Sequence, residues 1–184
     1  MASLSVQKDE VRKAAFVRRK VAHDSSVCRS AHLSAFLAGH RGVPLAGYMA
    51  MRTEIDPTLA MEEASKHGLV GVPVILGAGL PLKFRVWEPG VEMIKGEFGA
   101  LIPAEGSWMT PEIVIVPLVA YDVMGGRLGY GGGFYDRTLE ELRANQATLA
   151  VGFAYRVQQI ESVPLERTDQ VLDLIITEAG QTTF

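Results

Sequence analysis

The residues able to do chemistry concentrate in one stretch, Gly125-Gly126-Arg127-Leu128-Gly129-Tyr130-Gly131-Gly132-Gly133-Phe134-Tyr135-Asp136-Arg137, with six glycines among its first nine positions. Glycine lacks a Cβ, so successive backbone N–H groups can approach one anion closely. Arg127 adds a fixed charge whose planar donor fork matches phosphate oxygens. Asp136, one turn into the segment that follows, is suited to hold magnesium against the same oxygens. The stretch therefore reads as a phosphate cradle. A simple surface turn needs one or two glycines, not six around an arginine. Neither standard nucleotide signature fits. A dinucleotide fingerprint starting at Gly129 requires glycine where Phe134 stands, and a Walker loop requires Lys and then Ser or Thr after its last glycine.

The elements on either side must position this loop. Ile113-Val114-Ile115-Val116-Pro117-Leu118-Val119-Ala120-Tyr121 is apolar and partly β-branched, which predicts a buried parallel strand. Phe134 to Arg143 sets Phe134, Leu139 and Leu142 among charges and predicts an amphipathic helix. A phosphate between the two would meet the unpaired N–H groups and partial positive charge of the helix start.

Earlier in the chain, Ser5 to about Asp24 predicts a helix with Val6, Val11, Ala14, Val17 and Val21 as its apolar stripe. Lys8 and Arg12, four apart, fall on one of its faces. Ser25 to about Gly39 predicts a second helix, with Ala31, Ala35 and Leu37 apolar and Gly39 and Gly42 as stops. His32 and His40 have no partner at metal-ligand spacing and read as surface or packing residues. Val43 to Met51 predicts a strand. Asp56-Pro57 opens a helix that ends at Gly68, with Asp56 as N-cap. Gly71 to Leu76 predicts the next strand. Such a strand–helix–strand unit places the loop bearing Glu54 over a ligand crevice at strand C-termini.

Leu82 to Trp87 alternates and predicts an antiparallel strand ending in a turn at Glu88-Pro89-Gly90. Phe98 to Pro103 reads as extended, Thr148 to Tyr155 as a strand and Leu172 to Thr177 as the last strand, with Asp169 and Asp173 in the loop before it. Phe84 and Trp87 read first as core aromatics. The expected architecture is one α/β domain over residues 1–184, a three-layer Rossmann-like fold with a mainly parallel sheet and helices on both faces.

Bulk properties narrow the classes. Hydrophobic residues make 48% and charged residues 21% of 184, an ordinary composition for a soluble domain with a proper core. No apolar run approaches a membrane span, and Met1-Ala2-Ser3-Leu4 begins no signal-peptide core, so a cytoplasmic protein is expected. The lone Cys28 excludes an intrachain disulfide framework and a cysteine metal cluster; it reads as a small core or half-buried residue. The net charge of −3 hides an asymmetry. Residues 1–41 carry eight Lys/Arg and three Asp/Glu, so +5, and the remainder carries −8. Without a basic stripe interleaved with exposed aromatics, this favours internal phosphate ligands over nucleic acid.

With these residues in place, the chain resembles the 5-formyltetrahydrofolate cyclo-ligase (5,10-methenyltetrahydrofolate synthetase) family along nearly its whole length. Arg127 to Arg137, preceded by Val116-Pro117 and Tyr121-Asp122, is similar to the family's signature and is the specific part of the match. Lys8-x-x-x-Arg12 resembles its N-terminal basic pair, Tyr48-Met49 with Glu54 its middle motif, and Phe84-Arg85-x-Trp87 its aromatic strand. Gln158, Val163-Pro164 and Asp169 resemble its C-terminal pattern. The family uses ATP and magnesium to cyclise 5-formyltetrahydrofolate. The resemblance implies that Lys8, Arg12 and the loop Arg127, Leu128, Gly129, Tyr130, Gly131, Gly132, Gly133, Phe134 and Tyr135 hold ATP. Asp136 and Asp169 would hold Mg2+. Met49, Glu54, Trp87 and the loop from Tyr130 to Phe134 would face the folate. Arg127 and Tyr130 are the catalytic candidates.

Two carboxylates sharing one ion would repel each other in its absence, so Asp136→Asn is expected to relieve strain in the free protein. Three residues depart from the family pattern: Phe134 stands for the first Tyr of a Tyr-Tyr pair, Thr168 for the His before Asp169, and Ile102 for the Glu before Pro103. Phe134 and Thr168 are the features a non-catalytic nucleotide- or folate-binding paralogue would show, whereas Asp136 and Asp169 favour the enzyme; a phosphotransferase with another acceptor is the third reading. The expected partners are reduced folate and ATP, with no nucleic acid and no membrane, for a monomer or weak homo-oligomer.

Overall fold

The alternation of side chains along the central strands sets the layering. The computed structural model describes residues 3–25 and 30–184; Cys28 and the start of the second expected helix lie outside the described residues. In chain order the elements are α1 (Leu4–Ser25), α2 (Ala31–Ala38), β1 (Leu45–Ala46), α3 (Thr58–Ser65), β2 (Val70–Val74) and β3 (Lys83–Val86). There follow β4 (Met93–Lys95), β5 (Leu101–Pro103), β6 (Trp108–Met109), β7 (Ile113–Pro117), β8 (Ala120–Tyr121) and β9 (Arg127–Leu128). The last are α4 (Phe134–Asn145), β10 (Leu149–Phe153), β11 (Leu174–Thr177) and β12 (Gly180–Thr183).

Eight strands form one sheet in the order β12-β11-β10-β7-β1-β2-β3-β6. Its five central strands, β11 to β2, run parallel. Antiparallel strands flank them, β12 on one side and β3 and β6 on the other. Ile113 and Ile115 of β7 point into a core with Leu33 and Leu37 of α2 and Ala60 and Met61 of α3. Val114 and Val116 point to the other face, where Leu139 and Leu142 of α4 cover them. This is the expected three-layer α/β architecture with helices on both faces. Parallel strands buried on both faces explain why the run from Ile113 is continuously apolar.

Several local expectations change. The run expected as one strand from Ile113 to Tyr121 breaks after Pro117, and Ala120–Tyr121 pairs instead with Arg127–Leu128 as a hairpin. Buried Asp122 accepts the N–H groups of Met124 and Gly126 through Oδ1 and that of Val163 through Oδ2. Gly125 and Gly126 therefore belong to a capped hairpin turn, while Gly129 and Gly131 to Gly133 form the loop before α4. Only Leu45–Ala46 of the expected Val43 to Met51 strand is paired. The third helix starts at Thr58, whose N–H and hydroxyl both donate to Asp56 Oδ1, and it stops at Ser65. Strand β11 is not the last, because Gly180 allows a reversal into β12.

The main correction concerns α1. The helix forms as expected, but of its expected apolar stripe only Val11 packs, half-buried, against a core cluster; Val6, Ala14, Val17 and Val21 are exposed, Val17 at 67%. The buried face is Lys8, Ala15, Arg19 and Ala22. Its cations find hydrogen-bond partners there, which lowers the cost of burial, and its alanines pack among the buried apolar residues.

Candidate functional site

In an open, mainly parallel sheet the ligand crevice lies beyond the strand C-termini. The loops after β1 and β7, the glycine loop and the segment before β11 carry Met49, Glu54, Arg127 to Gly133 and Asp169, while α1 supplies Lys8 and Arg12 and the start of α4 supplies Phe134, Tyr135 and Asp136. Gly131 and Gly133 have φ of +100° and +64°, conformations that L-residues with a Cβ rarely adopt. A Cβ on Gly133 would stand 2.7 Å from Arg137 Nη1, and one on Gly131 3.2 Å from Arg12 Nη2. Arginines grip the loop through its carbonyls: Arg12 Nε donates to Gly129 O at 2.9 Å, and Arg137 Nη2 to Gly132 O at 2.8 Å. The first turn of α4 has no side-chain cap, so its N–H groups are suited to an anion.

Two ion pairs cross this region. Lys8 Nζ donates to Asp169 Oδ2 at 2.7 Å and to Glu166 Oε1 at 2.6 Å. Burial works to lower the Lys8 pKa, but the hydrogen bonds and charges of Asp169 and Glu166 outweigh it, and the net shift is upward. Arg127, only 6% exposed, donates through Nη2 to Asp136 Oδ1 at 2.8 Å. The same oxygen accepts the Gln170 N–H at 2.9 Å, tying the Asp169 loop to the first turn of α4. Burial pulls the Arg127 pKa down, against the opposing charges of Asp136 and Asp169. Each carboxylate thus already faces a cation, which removes the mutual repulsion expected from the sequence.

A group of buried polar atoms lies beside these pairs. Glu54 Oε2 accepts the Met51 N–H at 2.8 Å, while Glu54 Oε1, Arg127 Nε and the Tyr135 hydroxyl have no hydrogen-bond partner among the described residues. Burial raises the Glu54 carboxyl above its ordinary range. It also raises the phenols of Tyr135 and Tyr130, the latter to about 12, and the Glu54 charge adds to both shifts. Buried polar atoms without partners are costly, and this cluster is suited to a polar ligand that would complete the bonds. Mg2+ binds oxygen donors, commonly one or two carboxylates with waters and phosphate oxygens. Asp136 and Asp169 fit that donor set, although no group of three or more His, Cys, Asp or Glu among the described residues is arranged to hold a metal.

The structure brings together Lys8, Arg12, Glu54, Arg127, Tyr130, Tyr135, Asp136 and Asp169, with Gly129 and Gly131 to Gly133 between them. Met49 is half-buried against the core and Phe134 half-buried at the start of α4. Leu128 turns its side chain into a cluster with Ala15, Val119 and Val163, leaving only its backbone for a ligand. Trp87 is not brought to the site. Its N–H bonds Val70 O at the opposite end of β2, and its ring packs in the core, where a large aromatic is most favourably placed. The aromatic beside the loop is Phe98, 76% exposed, whose ring centre lies 6.2 Å from that of Phe134. Arg19 also escaped the motif reading. Positions 8, 12, 15, 19 and 22 alternate steps of four and three, the spacing of one helix face, and that pattern was the available signal.

Residues 4–178 match the model of the 5-formyltetrahydrofolate cyclo-ligase family. The chain is 39% identical over 95 residues to the 5-formyltetrahydrofolate cyclo-ligase of Haemophilus influenzae, covering 51% of this chain and 46% of that one. It is 46% identical over 66 residues to that of Escherichia coli K12, 36% of each chain. These alignments span less than half the length of either curated relative. Among solved structures, the 5,10-methenyltetrahydrofolate synthetase of Aquifex aeolicus superposes with a TM-score of 0.73 at 26% identity, over 96% of this chain and 92% of that one. The synthetase of Mycoplasma pneumoniae shares the fold, with a TM-score of 0.66 at 19% identity over 93% and 98% of the two chains. No helix among the described residues is long and apolar enough to cross a membrane.

Proposed function

The chain belongs to the 5-formyltetrahydrofolate cyclo-ligase family, and from that premise we propose that it cyclises 5-formyltetrahydrofolate to 5,10-methenyltetrahydrofolate, converting ATP to ADP and phosphate. The observation that carries this reading is the junction of the Lys8–Asp169 and Arg127–Asp136 pairs with the glycine loop, beside the buried Glu54 carboxylate.

The chemistry accounts for such a site. A formamide carbon is a poor electrophile and its oxygen a poor leaving group. Transfer of the terminal phosphoryl group of ATP to the formyl oxygen corrects both. N10 of the folate then attacks the activated carbon, the C–O bond breaks, and phosphate departs. This sequence asks the protein for positioning and charge neutralisation more than for a nucleophile. Lys8, Arg12 and Arg127 would neutralise the triphosphate, while Gly131 to Gly133 let its oxygens approach the backbone. Magnesium, held by Asp136 and Asp169, would supply further charge neutralisation at those oxygens. Glu54 would accept hydrogen bonds from the pterin ring through its unpaired Oε1. The Tyr135 hydroxyl and Arg127 Nε, both buried without partners, would bond the reacting oxygens.

The methenyl product has a conjugated N5–C–N10 system that absorbs at longer wavelength than the formyl substrate. Incubation with 5-formyltetrahydrofolate, ATP and magnesium is expected to raise that absorbance with equimolar ADP. Binding of both substrates without product would leave the non-catalytic paralogue, and ATP consumption without product would point to another acceptor.

A further inference from the structure

Arg19 is buried on α1 at 1% exposure, about two turns beyond Arg12 of the phosphate-directed pair Lys8 and Arg12. Its Nη2 donates to the Tyr130 hydroxyl at 2.7 Å, Nε to Thr53 Oγ1 at 3.1 Å, and Nη1 to Leu118 O at 3.4 Å. The guanidinium carbon lies 5.1 Å from the Phe16 ring centre and 5.5 Å from that of Tyr130, within cation–π range of both. The two rings are themselves 5.6 Å apart.

A guanidinium has no acceptor. In the bond with Arg19 the Tyr130 oxygen therefore accepts, and the phenolic proton must be donated elsewhere. The Tyr130 hydroxyl and the Glu54 carboxylate lie close enough for hydrogen bonding between them to shift both titrations, although Glu54 Oε1 has no partner at full hydrogen-bond geometry among the described residues. We propose that Arg19 is a positioning residue for the folate half of the site. It clamps the Tyr130 ring against Phe16 and fixes the hydroxyl as a donor directed toward Glu54 and bound substrate. At 1% exposure it does not touch substrate itself and acts through Tyr130. This inference rests on the folate reading of Glu54 and Tyr130. A purely structural strut would be served by the Thr53 and Leu118 bonds alone, yet the shortest of the three bonds and one of the two ring contacts go to Tyr130.

The test is a double-mutant cycle. 5-Formyltetrahydrofolate, and separately ATP with magnesium, are titrated calorimetrically into wild type, Arg19→Met, Tyr130→Phe and the double variant, with a thermal melt of each. Each single change is expected to weaken folate binding roughly tenfold, the scale of a lost charge-assisted hydrogen bond. The double variant should be no weaker than about tenfold, because both changes remove one hydroxyl's orientation, and the ATP affinity of Arg19→Met should stay within about twofold. Arg19→Lys keeps the charge without the planar fork; it replaces the Met variant if that does not fold, and is expected to lose part of the folate affinity. Multiplicative losses in the double variant, equal losses of ATP and folate affinity, or unchanged folate binding in Arg19→Met or Arg19→Lys would each overturn the positioning role and leave the folate reading standing. Wild type that binds no 5-formyltetrahydrofolate overturns both.

Discussion

Helices α1 and α4 both contact the glycine loop, and opposite forces hold them. α4 buries Leu139 and Leu142 against Val114, Val116 and Ala150 of the sheet. α1 leaves Val6, Val17 and Val21 in solvent and turns Lys8 and Arg19 inward. Apolar burial is non-directional and contributes about 1.5–3 kcal/mol for each large side chain. Buried charges contribute only when their partners are in place, and removing one partner is strongly destabilising. The seat of α4 is therefore set by the core. That of α1 is set by Asp169, Glu166, Tyr130 and the Gly129 carbonyl, all around the site. A helix held in this way reports on the site, and substitutions can separate the two kinds of attachment.

The largest effect is expected from Arg127→Ala. Loss of one preorganised charge contact commonly costs ~10²-fold or more in rate, read as the initial rate of methenyl product formation. Turnover near that of wild type would remove the loop from the chemistry. Asp136→Asn comes next. It leaves the buried Arg127 guanidinium without its charged partner and should cost roughly 3 kcal/mol. That lowers Tm by about 6–12 °C in a domain of this size, where the sequence alone implied relief of repulsion. Leu139→Ala is expected to cost a similar amount, about 2–5 kcal/mol, by opening a core cavity, but with ATP affinity intact. If both variants lose ATP affinity equally, the distinction between core and site attachment fails.

Glu54→Gln sharpens the account of the folate side. It should raise the 5-formyltetrahydrofolate KM by roughly tenfold and leave the ATP KM near its wild-type value. It also carries a pH signature. Burial raises the Glu54 carboxyl above its ordinary 4.5, so as pH rises the unfolded chain gives up this proton before the native state does. The wild-type protein therefore loses stability from about the ordinary value upward through the raised one. Melting curves should show Glu54→Gln gaining on wild type as pH rises from about the ordinary carboxyl value of 4.5. A difference that is flat with pH would mean the carboxylate is solvated. Val17→Ala, on the exposed face of α1, should fall within about 0.5 kcal/mol of wild type; a larger loss would show that this face is covered in solution.

Much of this was legible because the residues obey simple periodicities. The run at Ile113 and the pattern of Leu139 and Leu142 announce a buried strand and the helix packed on it, and Gly131 and Gly133 need the backbone freedom their residue type supplies. α1 was legible as a helix but not in its orientation, because its buried face is polar and the apolar-stripe rule assigns valines to the core. Gly125 and Gly126 share the loop's composition, but the Asp122 carboxylate claims them for a hairpin. Trp87 and Phe98 exchange their expected prominence for a topological reason. β3 runs antiparallel to β2 and carries Trp87 away from the site edge, whereas Phe98 follows β4 and is delivered beside Phe134. Pairings of residues as distant in sequence as Lys8 and Asp169 leave no local periodicity to read.

The claim that Lys8, buried on α1, forms part of the anion-binding half of the site is tested most directly by calorimetric titration of ATP with magnesium into wild type, Lys8→Met and Val17→Ala. Lys8→Met should raise the ATP Kd by about tenfold or more, the scale of a lost charge-assisted bond to phosphate, while Val17→Ala binds as wild type does. Equal affinity in wild type and Lys8→Met, with both proteins folded, would contradict it.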